Sequence, residues 1–424
     1  MKVTFCAYDS PGNIDGPTTW IKRLIPFLRE KRIECRLIFF AAHDDDLSTV
    51  QFFRDRDFGC KIIFWEKFNE DKILSILKDV HEFSPDIFVA NYFPWACIAS
   101  KWIKAAGIST VMVLHNDDSM HHALLREFVI MEDNISAVVC VSKLLTNLAK
   151  EMLPETFGIF EIPCGVPVWD RTISINNARI MKVVYVGRIE EKQKRITRLI
   201  KSFCEAAKNV EGTEYSIYGN GSNLKEMLST LHHEGKGLSV RYEGHFDSEE
   251  IQSKLLENHV IALLSDHEGL PVSIMEAMAC GLVPVCTSIR SGIGELVIHG
   301  ETGLLVSGNI PDEFAKAIKD LKHNPTLFRK ISQNAREKIL RNYSDLICNE
   351  KWVILLNSLQ KKSTDKRPIS LPTERELKNY QWPKEFETFN NPKTLLAFIP
   401  FYNLKHLLGR KLRGFKKKVW VNQK

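Results

Sequence analysis

This sequence contains neither paired cysteines nor a long apolar run, and each absence argues against a class of protein. Its ten cysteines are scattered through apolar segments, with no C-x-x-C pair and no metal-ligand spacing. They are typical of reduced core residues in a cytosolic protein, not of a disulfide-stapled secreted domain. No apolar run approaches the length of a membrane span, and the opening stretch, MKVTFCAYDS, is too short and wrongly flanked for a secretory signal. We therefore expect a cytoplasmic protein.

Acidic residues are absent after Glu387, although nine Lys and Arg residues occur there. Since the whole chain carries a net charge of +6, removing these nine charges leaves −3. Apolar residues within 395–424 recur at three- and four-residue steps, which is typical of an amphipathic helix on an anionic membrane surface, here the inner face of the membrane. A helix packed on the body of the protein is the alternative. A nucleic-acid partner is not expected, because no nucleic-acid module is recognisable.

A chain of 424 residues exceeds the size at which one hydrophobic core keeps growing, so two or more domains are expected. Short apolar runs such as KVTFCAY, DIFVAN and KVVYVG alternate with amphipathic stretches such as RITRLIKSFCEAAKNV. This alternation predicts buried parallel strands joined by right-handed helical crossovers. The series restarts after residues 163–181, which are rich in turn formers. Because ligands bind beyond the carboxyl ends of parallel strands, the sequence predicts a site between two doubly wound domains.

Residues 266–281, DHEGLPVSIMEAMACG, contain two glutamates and neither Lys nor Arg. A capping box, in which Ser273 and Glu276 satisfy amides at a helix start, accounts for one of them. It leaves Glu268 and the missing basic partners unexplained. The alternative is that both carboxylates bind a ligand, together with the amides and the positive dipole of the helix that begins near Pro271.

Five stretches of the second half occur in the order and spacing of a known family. They are VVYVGRIEEKQKRITRLIKSF, YSIYGNGSNLKEM, VRYEGHF, IALLSDHEGLPVSIMEAMACGLVPV and SGIGELVIHGETGLLV. From about Val183 to Val306 the chain resembles the retaining nucleotide-sugar glycosyltransferases of family 4 (glycosyl transferases group 1). The E-x7-E of Glu268 and Glu276 is the most specific shared motif. The resemblance implies the GT-B fold, an α/β architecture of two Rossmann-like doubly wound domains facing a central cleft.

The same resemblance divides the chain into four parts. Residues 1–170 are expected to form an acceptor-binding Rossmann-like domain, and residues 171–342 a Rossmann-like domain that binds the nucleotide sugar. Residues 343–362 are expected to form a helix that crosses back to the first domain. Residues 363–424 are a basic extension outside the resemblance.

The chemistry of this family explains the residue types at the expected donor site. Breaking a sugar–diphosphate bond creates an anionic leaving group, which positive charge must hold. The resemblance assigns this role to Arg188 and Lys194, with Lys192 as the rival of Lys194. It assigns the donor sugar and phosphate to Glu268 and the amides that follow it, and the ribose hydroxyls to Glu276. The further donor-contacting residues that we expect are Gly16, Gly187, Gly269, Leu270, Pro271 and Val272.

Weaker signals come from the first half of the chain. The stretch SPGNIDGPTTW, with Gly12 and Gly16, resembles the glycine-rich loop that approaches the donor phosphates and the acceptor, although Pro17 replaces the usual second glycine. His115 ends a strand where the family places a histidine near the transferred sugar, and a purely structural histidine is the alternative. Cys164 stands where the family usually has Asn, and we interpret it as a packing substitute.

Two other ligand sites are less favoured. The G-x-G of Gly219 and Gly221 has Leu224 at the third glycine position and no ribose-binding acid, which argues against a nicotinamide-dependent oxidoreductase. Asp44 to Asp46 resemble a D-x-D metal site, but a solvated acidic loop is the better interpretation because the diphosphate already has positive partners. We therefore expect no metal and no cofactor beyond the donor substrate.

The resemblance implies a hexosyltransferase that moves a sugar from a nucleotide-diphosphate sugar to a glycan or lipid-linked acceptor, with retention of configuration. Such a reaction belongs to cell-surface polysaccharide or glycolipid synthesis. A GT-B protein that has lost catalysis and serves as a binding or scaffold module is the alternative. An enzyme is favoured because Arg188, Lys194 and both glutamates are present.

Overall fold

Residues 1–9, 16–41, 47–173, 179–246, 249–362, 366–380 and 386 are described by a computed structural model, which contains two parallel sheets. The strands of the first sheet are β1 (Lys2–Asp9), β2 (Glu34–Ala41), β3 (Gly59–Phe64), β4 (Ile87–Asn91), β5 (Ser109–Leu114), β6 (Ala137–Cys140) and β7 (Gly158–Glu161). They lie in the order β3-β2-β1-β4-β5-β6-β7. The helices of this domain are α1 (Gly16–Glu30), α2 (Ser48–Arg54), α3 (Asn69–Phe83), α4 (Pro94–Ala105), α5 (Ser119–Leu124), a π-helix (Leu125–Met131) and α6 (Lys143–Met152).

The second sheet is built from strands β8 (Met181–Val186), β9 (Thr213–Tyr218), β10 (Val240–Gly244), β11 (Val260–Leu263), β12 (Val283–Thr287) and β13 (Leu304–Val306). Their order is β10-β9-β8-β11-β12-β13. The helices that follow β8 along the chain are α7 (Ile196–Asn209), α8 (Leu224–Glu234), α9 (Ile251–Leu256), α10 (Val272–Cys280), α11 (Ile293–Leu296), α12 (Ile310–His323), α13 (Pro325–Asn342), α14 (Asp345–Lys362) and α15 (Glu374–Lys378).

Burial explains why the strands are continuous apolar runs. Every residue of β6 and of β11 is buried, as expected for strands covered on both faces. The cysteines form no disulfide, and all except Cys60 are buried. In each sheet the first strand is central, with β4 beside β1 and β11 beside β8, so each sheet has a switch point at that pair. The predicted fold of two doubly wound α/β domains is confirmed.

The chain returns to the first domain after α13. The backbone N–H of Asp345 donates to the Val166 carbonyl at 2.9 Å, which joins the start of α14 to the strand-like segment after β7. The Trp352 ring of α14 lies 5.4 Å from the Trp20 ring and 6.1 Å from the Phe5 ring, measured between centroids. Trp352 is fully buried there. Helix α14 therefore belongs to the core of the first domain.

The described residues after α14 continue along the first domain. Lys366 forms an ion pair with Asp86, and the Phe386 ring stacks on Phe128 with centroids 5.5 Å apart. The predicted amphipathic segment, residues 395–424, lies outside the described residues. No helix in the described part of the chain combines the length and the apolar content that crossing a bilayer requires.

Candidate active site

The two domains touch where the carboxyl ends of their strands meet. A Cβ atom added to Gly16, at the start of α1, would lie 3.0 Å from Val272 Cγ2 at the start of α10. A Cβ atom added to Gly269 would lie 1.9 Å from the carbonyl oxygen of His115, which follows β5. A side chain cannot be accommodated at that second distance, so Gly269 is needed for the close approach of the two domains. The structure thus brings Gly16, His115 and the segment after Glu268 to one cleft.

Glu268 and Lys194 form an ion pair inside this cleft. Lys194 Nζ donates to Glu268 Oε1 at 2.6 Å, and the two side chains are 14% and 6% exposed. Lys192, the alternative to Lys194, is exposed. One of the missing basic partners of residues 266–281 therefore comes from the loop after β8.

Arg188 reaches the same loop through a glutamine. Its Nη2 donates to Gln193 Oε1 at 2.7 Å, and Gln193 Nε2 donates to the carbonyl of His267 at 3.0 Å. Arg188 also pairs with Glu190 at 3.2 Å, and its side chain remains 46% exposed. The strand end that carries Arg188 is fixed by Tyr185, whose hydroxyl donates to the Arg188 carbonyl at 2.7 Å. Gly187 lies between them, where a Cβ atom would be 2.9 Å from the Tyr185 oxygen. Arg188 is thus positioned at the cleft with its guanidinium accessible.

Helix α10 presents its amino-terminal amides to this cleft. Its first residue is Val272 and its N-cap residue is Pro271, which has no side-chain cap. The first backbone bond of the helix runs from the Met275 N–H to the Pro271 carbonyl, at 3.2 Å. The N–H groups of Val272, Ser273 and Ile274 are therefore unsatisfied within the helix, and together with the dipole they favour an anion. Leu270 is buried beside them.

The position of the helix start contradicts the capping-box interpretation of Glu276. Because Pro271 is the N-cap, Ser273 is the second residue of the helix and cannot form the box with Glu276. Glu276 is 6% exposed, and its Oε1 forms an ion pair with Arg23 of α1. Arg23 Nη1 also donates to the carbonyl of Gly165 at 3.3 Å. The second missing basic partner thus comes from the other domain.

His115 is held as a neutral imidazole. Asn91 Nδ2 donates to the Cys6 carbonyl at 3.1 Å, so Asn91 Oδ1 is the acceptor that faces His115 Nε2 at 2.9 Å. Nε2 therefore carries the proton, and Nδ1 faces the Cys164 sulfur at 3.8 Å. Burial, with a smaller effect of His121, lowers the pKa of His115 to about 3. Asn91 adopts φ 58°, an unusual value for a residue with a side chain, and such outliers cluster at functional sites.

The Cys164 contact adds to the packing role that we predicted for this residue. Cys164 is buried, and its thiol is placed to donate weakly to His115 Nδ1. The thiol is therefore a weak hydrogen-bond partner on the Nδ1 side of His115.

A second contact between the domains involves Glu295, which lies in the stretch SGIGELVIHGETGLLV but had no role assigned from the sequence. The Glu295 carboxylate, on α11, accepts the backbone N–H of Lys143 and of Leu144, both at 2.9 Å. These amides belong to the first turn of α6, whose N-cap is Ser142. Burial raises the pKa of Glu295. A glutamate of the second domain thus accepts hydrogen bonds from the free backbone N–H groups at the start of a helix of the first domain.

Among the described residues, no cluster of three His, Cys, Asp or Glu side chains could hold a metal ion. Asp44 to Asp46 and Gly12 lie outside the described residues.

Residues 173–338 match the family model for glycosyl transferases group 1. Over 237 residues the chain is 27% identical to the exopolysaccharide phosphotransferase SCO2592 of Streptomyces coelicolor, covering 54% of this chain and 24% of that protein. It is 24% identical to an uncharacterized glycosyltransferase, MJ1178, of Methanocaldococcus jannaschii, covering 59% and 70%. It is 27% identical to the poly(ribitol-phosphate) alpha-N-acetylglucosaminyltransferase of Staphylococcus aureus, covering 39% and 33%.

Among solved structures, Anabaena Alr3699/HepE in complex with UDP and glucose superimposes with a TM-score of 0.69 at 16% identity, over 84% of this chain and all of that one (100%). A Staphylococcus aureus TarM variant in complex with fondaparinux, alpha-GlcNAc-glycerol and UDP has a TM-score of 0.66 at 12% identity, covering 84% and 99%. The second domain of this chain therefore matches glycosyl transferases group 1, and the two domains in the described part of the chain have the GT-B fold.

Proposed function

We propose that this chain is a glycosyltransferase that moves a sugar from a nucleotide-diphosphate sugar to a glycan or lipid-linked acceptor, in polysaccharide or cell-wall glycan synthesis. The observation that carries the proposal is the buried Lys194–Glu268 pair, which lies beside the free amino-terminal amides of α10 and near Arg188. Cationic groups and helix amides around one buried carboxylate fit a ligand that joins a diphosphate to a hydroxyl-rich sugar. The names of two of the relatives, the glycosyltransferase MJ1178 and the poly(ribitol-phosphate) alpha-N-acetylglucosaminyltransferase, agree with this chemistry.

Each residue of the cleft has a role in this proposal. Arg188 and Lys194 hold the diphosphate and stabilise the charge that grows on it as the glycosidic bond breaks. Glu268 accepts hydrogen bonds from the donor sugar, and Glu276 accepts them from the ribose. Neutral His115, whose Nε2 proton is donated to Asn91, adds no charge near the reacting carbon. The positive charge comes from side chains and helix amides, so the proposal needs neither a metal nor a cofactor. Retention of configuration and a hexosyl donor are part of the same proposal, on the strength of the family resemblance.

Thermal stabilisation by a panel of UDP-, GDP- and ADP-sugars tests the donor site. We expect one nucleotide class to raise the melting temperature of the wild type, and Lys194→Met to abolish the rise. Lys192→Met is the matched control, because Lys192 lies two residues away and is exposed. A panel without effect on the wild type contradicts the proposal. Stabilisation without transfer or hydrolysis of the sugar supports the scaffold alternative.

We also propose that residues 395–424 attach the protein to an anionic membrane at its cytoplasmic face. Each Lys or Arg near such a surface contributes about 1 kcal/mol, so this basic segment suffices for reversible binding. The test is co-sedimentation with vesicles, with and without anionic lipid, of the full chain and of a version that ends at Asn391. Equal sedimentation of the two proteins, or binding that is indifferent to lipid charge, contradicts the attachment.

A further inference from the structure

Two aromatic side chains meet at the carboxyl edge of the first sheet. Asp9 of β1 pairs in register with Ala41 of β2, and the N–H of Trp65 donates to the Ala41 carbonyl at 2.8 Å. Tyr8 and Trp65 are thereby brought together, and their rings stack with centroids 6.4 Å apart and an interplanar angle of 27°. Both rings are only partly buried. This edge of the sheet therefore presents an aromatic surface.

Two buried polar atoms beside this surface have no hydrogen-bond partner within the described part of the chain. Asp9 Oδ2 accepts the backbone N–H of Thr49 and of Val50, at 2.8 Å and 2.9 Å. Asp9 Oδ1 is buried without a partner among the described residues, and the same is true of Trp65 Nε1. Asp9 itself is 1% exposed. A buried polar atom without a partner costs about 1–3 kcal/mol, so these atoms call for a ligand or water that satisfies them.

The segment that carries Trp65 is fixed at its far end. Asn69 Oδ1, at the first residue of α3, accepts from Trp95 Nε1 at 2.7 Å and from Lys72 Nζ at 3.1 Å. The Lys72 ammonium also lies 4.2 Å from the Trp95 ring centroid. Between Trp65 and this anchor lies Phe68, whose side chain is 80% exposed. The segment is thus fixed at both ends, through the Trp65 N–H and through Asn69, which lowers the entropic cost of ordering Trp65 on binding.

We propose that Tyr8, Asp9 and Trp65 form a subsite for one pyranose ring of the acceptor glycan. The apolar C–H face of a pyranose packs against an aromatic ring, while its hydroxyl groups satisfy the two unpartnered atoms. One hydroxyl donates to Asp9 Oδ1, and another accepts from Trp65 Nε1. A phosphate group does not suit this position, because the Asp9 carboxylate would repel it. The inference rests on the proposed function for the identity of the acceptor, but the subsite itself binds sugar without the donor.

The subsite lies on the acceptor side of the cleft. The described chain resumes after β1 at Gly16, which contacts Val272 of the donor-side helix α10. Since Tyr8 and Asp9 lie at the carboxyl end of β1, the subsite is at the same edge of the parallel sheet as His115, which follows β5.

Two conservative variants separate the contributions of the subsite. Trp65→Phe keeps an aromatic ring against Tyr8 and removes only the indole N–H. Asp9→Asn keeps an oxygen for the Thr49 and Val50 amides and converts Oδ1 into an NH2 group, which cannot accept. The control is Trp102→Phe, on α4 seven residues beyond Trp95.

Saturation-transfer NMR with the methyl α-glycosides of glucose, galactose, mannose and N-acetylglucosamine provides the measurement. We expect at least one glycoside to bind the wild type, and each subsite variant to weaken that binding about tenfold, since each loses one hydrogen bond to the sugar. Trp102→Phe should bind as the wild type does. Absence of binding to the wild type, or wild-type affinity in Trp65→Phe, overturns the proposal. If Asp9→Asn lowers the melting temperature sharply, Trp65→Phe alone decides.

The outcome is independent of the donor site. Stabilisation by nucleotide sugars should be the same in Trp65→Phe as in the wild type, because Trp65 lies in the first domain and the donor residue Lys194 in the second. A wild type that binds glycosides but no nucleotide sugar would contradict the proposed function and leave the subsite standing. The reverse result would contradict the subsite alone.

Discussion

The ion pair between Arg23 of α1 and Glu276 of α10 joins the two domains, and breaking it should destabilise the protein. The two side chains are 15% and 8% exposed, so removing the guanidinium leaves a largely buried carboxylate without its cationic partner. Losing one member of a buried pair costs about 3–5 kcal/mol. Because this pair borders a cleft that water enters, we expect Arg23→Met to lower the free energy of unfolding by the smaller figure, about 3 kcal/mol.

A double-mutant cycle isolates the contribution of the pair. Urea unfolding of Arg23→Met, Glu276→Gln and the double variant should give a coupling energy of about 2 kcal/mol. If Glu276 also binds ribose, saturating UDP should reduce this coupling, because ribose hydroxyls then compete with Arg23 for the carboxylate. Single effects that add to within about 0.5 kcal/mol would refute the reasoning.

The control pair is Arg36 and Asp79, which lies within the first domain. Arg36 donates to both carboxylate oxygens of Asp79, at 2.9 Å and 2.6 Å. Its side chains are 25% and 2% exposed, which is similar to the pair across the cleft. The coupling in an Arg36→Met and Asp79→Asn cycle should be unaffected by UDP. A change in both cycles would mean that UDP stabilises the fold generally and would not identify Glu276 as its ligand.

Three further outcomes follow from the site and its surroundings. Arg188→Ala should lower the single-turnover transfer rate by about a hundredfold, whereas Lys192→Ala should leave it within about twofold, and equal rates would remove Arg188 from the site. The folded state lowers the pKa of His115 to about 3. As the pH falls below the usual pKa of histidine, His115 is therefore protonated in the unfolded chain but not in the folded protein. The wild type should therefore lose about 1.4 kcal/mol of stability by pH 5.5 relative to His115→Gln, measured by urea unfolding. Burial lowers the pKa of Lys72 to about 8, so stability should rise between pH 8 and 10 in the wild type and not in Lys72→Met.

The spacing of apolar residues along short stretches was enough to predict the fold, because each strand and each helix is formed by consecutive residues. The run KVVYVG became β8, and the segment from Ile196 to Asn209 became α7 with one buried side. The motif from Glu268 to Glu276 was also readable, since its spacing lies within one loop and one helix. Such patterns do not determine at which residue a helix begins. The S-x-x-E pattern at Ser273 fits a capping box, but the helix begins two residues too early for it.

Contacts between the domains could not be predicted from the sequence. Arg23 lies on an amphipathic helix, where its spacing is that of any solvated charge, and its partner is 253 residues away. Glu295 is likewise distant from the α6 amides that it satisfies, and no motif links the two. The Cys164 sulfur acquires its contact with His115 only when the segments after β5 and β7 are brought side by side.

The burial of Trp352 beside Trp20 and Phe5 has a consequence for how the protein is made. The first domain emerges from the ribosome early in synthesis. The helix that completes its core, α14, is synthesised only after the whole second domain. The residues of the second domain emerge in one continuous stretch, so its core can close while the groove around Trp20 is still open. Although amino-terminal domains generally fold first during synthesis, here the first domain should reach its final state last. Until then, the nascent chain exposes an indole-lined groove that chaperones can bind.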